Sequence, residues 1–201
     1  MSFPSPTRLL DILTRPITAW PEIAREQISL RALYTGWILW LVAVPSIASA
    51  VSLALFYQGV DSMHYMPGFT SIYMGIVICE LITGYLLQVA FVAALSWWIN
   101  ALSLWFHGQS DLVQATKSVA YAMTPAWLAG VLALFADTAT LASAFALVIL
   151  MASLYSLYLL YLALPFTMQC PAKKATPYVL VVAVTAIVLQ GMVGTAAGWT
   201  H

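Results

Sequence analysis

Five apolar stretches leave this chain few folds to choose from. They run over residues 33–57, 71–97, 115–135, 141–164 and 178–199. Each is near or above the roughly 20 residues that cross a bilayer as a helix. Lipid offers no partner to backbone N–H and C=O groups, so a spanning segment must satisfy them internally. The short alternating segments of a transmembrane barrel are absent. The expectation is an all-α, polytopic bundle of five transmembrane helices.

The seven Lys and Arg residues then orient the bundle. Arg8, Arg15, Arg25 and Arg31 precede the first stretch. Lys117 begins the third, and Lys173 and Lys174 lie between the fourth and fifth. The connections at 58–70 and 136–140 hold no Lys or Arg. With five spans, all the connections that hold Lys or Arg fall on the amino-terminal side. That is the positive-inside pattern, and it predicts a cytoplasmic amino terminus and an external carboxy terminus. The domain reading is a cytoplasmic interfacial amphipathic tail at 1–30 and a five-helix transmembrane domain at 31–201.

Composition agrees. The chain is 63% hydrophobic and 7% charged, against about 25% charged in soluble domains. Net charge is zero, and the tail arginines are offset by Asp11, Glu22 and Glu26. No basic face for nucleic acid follows. The first thirty residues lack a continuous apolar core with a cleavage site, so no cleavable signal peptide is expected. Cys79 and Cys170 fall at different depths of the bundle, which argues against a disulfide between them.

The tail alternates apolar residues such as Leu9, Leu13 and Trp20 with Arg8, Asp11, Arg15 and Glu22. Pro16 and Pro21 divide it, predicting two short helices. Such a segment lies on the membrane surface or packs against the bundle, and the two arrangements are compatible. Trp37, Trp40, Trp97, Trp98 and Trp105 fit an aromatic belt at the cytoplasmic interface. Tyr155, Tyr158 and Tyr161 fit that belt or a polar groove. Pro45, Pro125 and Pro165 interrupt spans one, three and four, where kinks are expected; Ser46 and Thr124 are at hand to bond freed carbonyls. Gly194 and Gly198 form a GxxxG pair, extended by Gly191. Small residues of this kind let helices approach, within a subunit or between two.

Glu80 is the acid placed well inside a span, nine residues into the second and about 13 Å deep at helical rise. An intramembrane carboxyl is a candidate for function, either as a proton or cation site or as a structural hydrogen-bond donor. Gln88, Tyr121, Thr124 and Pro125 are the other intramembrane polar or helix-breaking candidates. In the second connection, Met63, His64 and Met66 offer soft ligands of a kind that suits Cu(I), though Met is frequent in this chain. Phosphate-loop, HExxH and GxSxG signatures are missing. The expectation is no enzyme, no catalytic residue and no cofactor.

Several motifs resemble one family. Leu13-Thr-Arg-Pro16 followed by Trp20-Pro21-Glu22-Ile23 resembles the tail that opens bacterial members of the Yip domain family. Lys117-Ser-Val-Ala-Tyr121-Ala-Met-Thr-Pro125 resembles its third span. Tyr155-Ser-Leu-Tyr158 and Pro171-Ala-Lys-Lys174-Ala resemble its fourth span and the turn after it. The resemblance implies five spans, an amino terminus in the cytoplasm and residence in a bacterial inner membrane, with the carboxy terminus periplasmic or extracellular. His107-Gly108 stands where bacterial relatives usually have Gly-Gly. The Asp-Leu-Tyr-Gly-Pro motif of eukaryotic relatives is absent, so their binding of Rab-type GTPases is not carried over. The functional expectation is a non-enzymatic membrane protein acting through lipid, a membrane-protein partner or its own copy. The alternative is a small transporter or channel for a proton, cation or small solute with Glu80 on the pathway.

Overall fold

The computed structural model describes residues 6–58, 69–135 and 142–198, with side chains described over 7–55, 71–135 and 144–192. Met63, His64 and Met66 lie outside the described residues, as does His201, and so do the surroundings of Gly194 and Gly198.

Among the described residues the chain is helical, without strands. Five segments are long and apolar enough to span a membrane: Leu30–Leu55, Ser71–Leu102, Leu112–Phe135, Ala144–Thr167 and Ala172–Met192. In chain order the elements are α1 (Pro6–Thr14), α2 (Pro16–Arg25), α3 (Leu30–Leu33), a π-helical turn (Tyr34–Ile38) and α4 (Leu39–Gln58). Then come α5 (Phe69–Leu102), α6 (Leu112–Ala122), α7 (Thr124–Ala129), a 3-10 turn (Gly130–Phe135), α8 (Ala142–Thr167) and α9 (Ala172–Gly198).

The prolines act unequally. Pro16 opens α2, where its missing N–H costs nothing, while Pro21 is carried inside that helix. Two tail helices result, and Pro16 alone separates them. Pro45 and Pro165 likewise sit inside continuous helices. Pro125 is different. Span three breaks at Met123, whose N–H turns back to the carbonyls of Tyr121 and Val119. A proline at 125 cannot supply the N–H that Tyr121 would otherwise receive, and the break reassigns that carbonyl. Ser46 and Thr124 bond Val42 and Ala120, each one residue from the carbonyl that the nearby proline frees.

α6 is buried along most of its length. It lies between α5 and α8, with α2 and α3 over its remaining side. Trp20 and Ile23 of α2 are fully buried, in one core with Val119 of α6 and Leu160 of α8. Leu10 and Ile17 face outward. The tail helices are therefore part of the packed bundle. Trp37, expected in the interfacial belt, is also in the core: its indole N–H donates to Thr124 Oγ1 at 3.3 Å and its ring meets Tyr121 edge-on at 4.7 Å. An indole near a span's end is held inside when a hydroxyl waits for its N–H. Trp97 and Trp105 are exposed, as a belt requires.

At 34 residues, α5 is about 51 Å long, well beyond the roughly 30 Å of hydrocarbon. It ends in a Schellman turn. Gly108 N–H bonds Ser103 O at 2.8 Å and His107 N–H bonds Leu104 O at 3.2 Å, with His107 left-handed at φ 62°. That is the position glycine favours. Gly108 itself has no room for a side chain: a Cβ there would stand 2.6 Å from Met168 O. The next residue's N–H, from Gln109, bonds that same carbonyl at 2.8 Å. His107 Nδ1 and Lys174 Nζ are 2.9 Å apart. The turn after α5 and the turn before α9 thus lock together at the end of the bundle that carries the basic residues.

Candidate functional site

Two places bring polar groups together inside the bundle. The first joins tail to spans. The last carbonyls of a helix have no partner within it, and here both tail helices end on side chains from the spans. Lys117, 1% exposed, donates from Nζ to Ile23 O at 3.1 Å and to Glu26 O. One turn earlier on α6, Gln114 Nε2 donates to Ala24 O at 3.0 Å. From α8, Tyr155 OH donates to Leu13 O at 2.8 Å, on the last turn of α1. Arg8 of α1 pairs with Glu26 and, at 3.9 Å, with Glu22, closing the two tail helices on each other. A basic group at a helix carboxy end also meets the negative end of the helix dipole. Lys117 is therefore the fastener of α2.

A cavity of about 370 Å³ lies beside this junction, lined by Glu26, Ser29, Asp111, Gln114 and Lys117 among others. Asp111 caps α6, accepting from the N–H groups of Val113 and Gln114.

The second place is a crevice of about 540 Å³ reached by all five spans. Pro45 comes from the first, Gln88 from the second, Trp127 from the third, Ser156 from the fourth and Gln190 from the fifth. Apolar side chains make most of the remaining wall, and no described lining residue is Asp, Glu, Lys, Arg or His. Ile187 and Gln190 of its rim are exposed on the outside of α9.

The sequence candidates divide between these regions and others. Gln88 and Gly191 line the crevice, and a Cβ at Gly191 would have nothing within 4 Å. Tyr121, Thr124 and Pro125 are buried where span three meets span one. Thr124 serves two groups, accepting from Trp37 and donating to Ala120 O at 3.1 Å. Glu80 is half-buried on α5 and is not one of the crevice-lining residues. Beside it, Cys79 Sγ and Thr83 Oγ1 are 3.8 Å apart. Of the three tyrosines, Tyr155 is tied to the tail, while Tyr158 and Tyr161 are exposed. Both cysteines are free. Among the described residues no three His, Cys, Asp or Glu side chains are grouped to hold a metal ion.

Two residues carry more than sequence reasoning assigned them. Lys117 counted there as an orienting charge and part of a motif, and its position inside an apolar run was the available signal. Ser156 had no signal, being one small residue in a long apolar helix.

No significant match was found among curated proteins or among solved structures. The model of one protein family, the Yip1 domain, matches residues 10–194. That range takes in the second half of α1 and all of α2 and reaches from the first span into the last turns of the fifth, so the chain belongs to the Yip1 domain family.

Proposed function

We propose that this chain is a non-catalytic multi-pass protein of a bacterial inner membrane that works through contacts with lipid and with membrane-protein partners. Its amino terminus and tail lie on the cytoplasmic side. The observation that carries the reading is the crevice among the five spans, whose described lining includes no titratable group. A proton or cation pathway needs ionisable or strongly coordinating groups along it. Glu80, the candidate for that task, lines another part of α5. The sidedness rests on the Lys and Arg bias and on the pairing of the two basic-end turns through His107 and Lys174.

The test is flux through reconstituted protein. Proteoliposomes carrying the parent or Glu80→Gln should show the proton, sodium and potassium leak of empty vesicles. Glu80→Gln keeps the side chain's size and loses its titration, so its melting temperature should match the parent's. A pH-dependent flux in the parent that Glu80→Gln abolishes without unfolding would replace this reading with transport.

A further inference from the structure

We infer that the crevice binds an uncharged lipid: a molecule with a long apolar chain and a hydrogen-bond-accepting oxygen, but without a charged headgroup. The inference rests on the lipid-contact reading above and gives it a ligand class.

Ser156 points to it. The residue is 1% exposed, it lines the crevice, and its Oγ has no hydrogen-bond partner. Serine inside a helix commonly bonds the carbonyl four residues back. Ser46, Ser96 and Ser153 do so here, to Val42, Val92 and Ile149. Ser156 leaves that bond unmade, and a buried hydroxyl without a partner is costly. A ligand oxygen in the crevice would accept its proton.

The remaining chemistry selects the ligand. Gln88 and Gln190 add neutral amides, and no described lining residue would balance a phosphate or an ammonium. A charge buried without a counter-charge is heavily penalised. A diacylglycerol, a long-chain alcohol or a similar neutral lipid can bring such an oxygen to Ser156. The volume, about 540 Å³, lies within the roughly 300–1,000 Å³ of small-molecule sites.

The experiment uses full-length protein in phosphatidylcholine liposomes with a trace of photoreactive diacylglycerol or, separately, photoreactive phosphatidylglycerol. Labelled peptides are mapped by mass spectrometry. The expected result is saturable diacylglycerol labelling on α8 and α9, several-fold above phosphatidylglycerol and displaced by unlabelled diacylglycerol. Ala186→Phe should reduce it by filling the crevice. Gly191→Leu should do the same from a position where a Cβ would have nothing within 4 Å, so a folding failure of the first variant leaves the test intact. Ser156→Ala should weaken half-saturation about five-fold, the effect of one hydrogen bond. Equal labelling by both probes, indifferent to Gly191→Leu, would mean that bulk acyl chains merely wet the crevice, and would overturn the proposal. Preference for phosphatidylglycerol would overturn it equally. Either failure, with flux at the level of empty vesicles, removes the ligand and leaves the broader reading standing; ion flux would remove the broader reading by itself.

Discussion

Lys117→Met lowers the protein's unfolding free energy by about 2–4 kcal/mol and exposes the tail to protease. The methionine retains the apolar stem that packs in the core. What it removes is the donor to Ile23 O and Glu26 O. The buried carbonyl of Ile23 left without a partner costs about 1–3 kcal/mol, the part-buried one of Glu26 costs less, and losing a basic group at a helix carboxy end costs up to about 2 kcal/mol more. Rehydration of the loosened tail returns part of this, which sets the range. The effect is read as a lowered melting temperature in detergent and as faster tryptic cleavage at Arg25. Gln114 still holds Ala24 O, so the tail should loosen before the bundle unfolds. A variant with the parent's melting temperature and cleavage rate would mean that apolar packing alone fastens α2.

Gly130→Val should cost about 1–3 kcal/mol through overpacking. A Cβ at this position would stand 2.6 Å from Pro45 Cβ and 3.2 Å from Pro45 Cα. The obstacle is a rigid ring and backbone, which cannot swing aside as a long side chain can. The 3-10 turn of span three and α4 would have to separate. A double-mutant cycle isolates the contact. Gly130→Ala combined with Pro45→Gly should be less destabilised than the sum of the two single variants, because the second change removes the atom nearest the new methyl. Strict additivity in melting measurements would place the cost elsewhere.

The five spans were legible because lipid demands long apolar helices, and hydropathy reads length directly. Which face of each helix meets protein was not legible. In α5 and α8 nearly every position is apolar, so the periodicity that marks a buried stripe in soluble helices is lost. Trp37 shows the consequence. Near a span's start it reads as interfacial, yet its partner Thr124 is 87 positions away, and nothing local announces that pairing. The tail's division into two helices followed from Pro16. Its fastening did not, because the acceptors are backbone carbonyls, which every residue has. Lys117 was visible only as a charge in an apolar run. Among the candidate residues, Gln88 and Gly191 were named for other reasons before the fold brought them to one crevice. Ser156 could be found only from what surrounds it.

The orientation drawn from the seven basic residues underlies every assignment of side, and cysteine labelling in intact cells tests it most directly. Cys79 is exposed and is replaced by Ala. Cys170 can stay, since it is buried and burial pushes its thiol above the ordinary range, holding it in the unreactive protonated form. Into that background go Lys173→Cys and His201→Cys, one at a time. A membrane-impermeant maleimide should label His201→Cys in intact cells and Lys173→Cys only after lysis. Labelling of Lys173→Cys from outside would contradict the orientation, and with it the cytoplasmic placement of the tail that Lys117 holds.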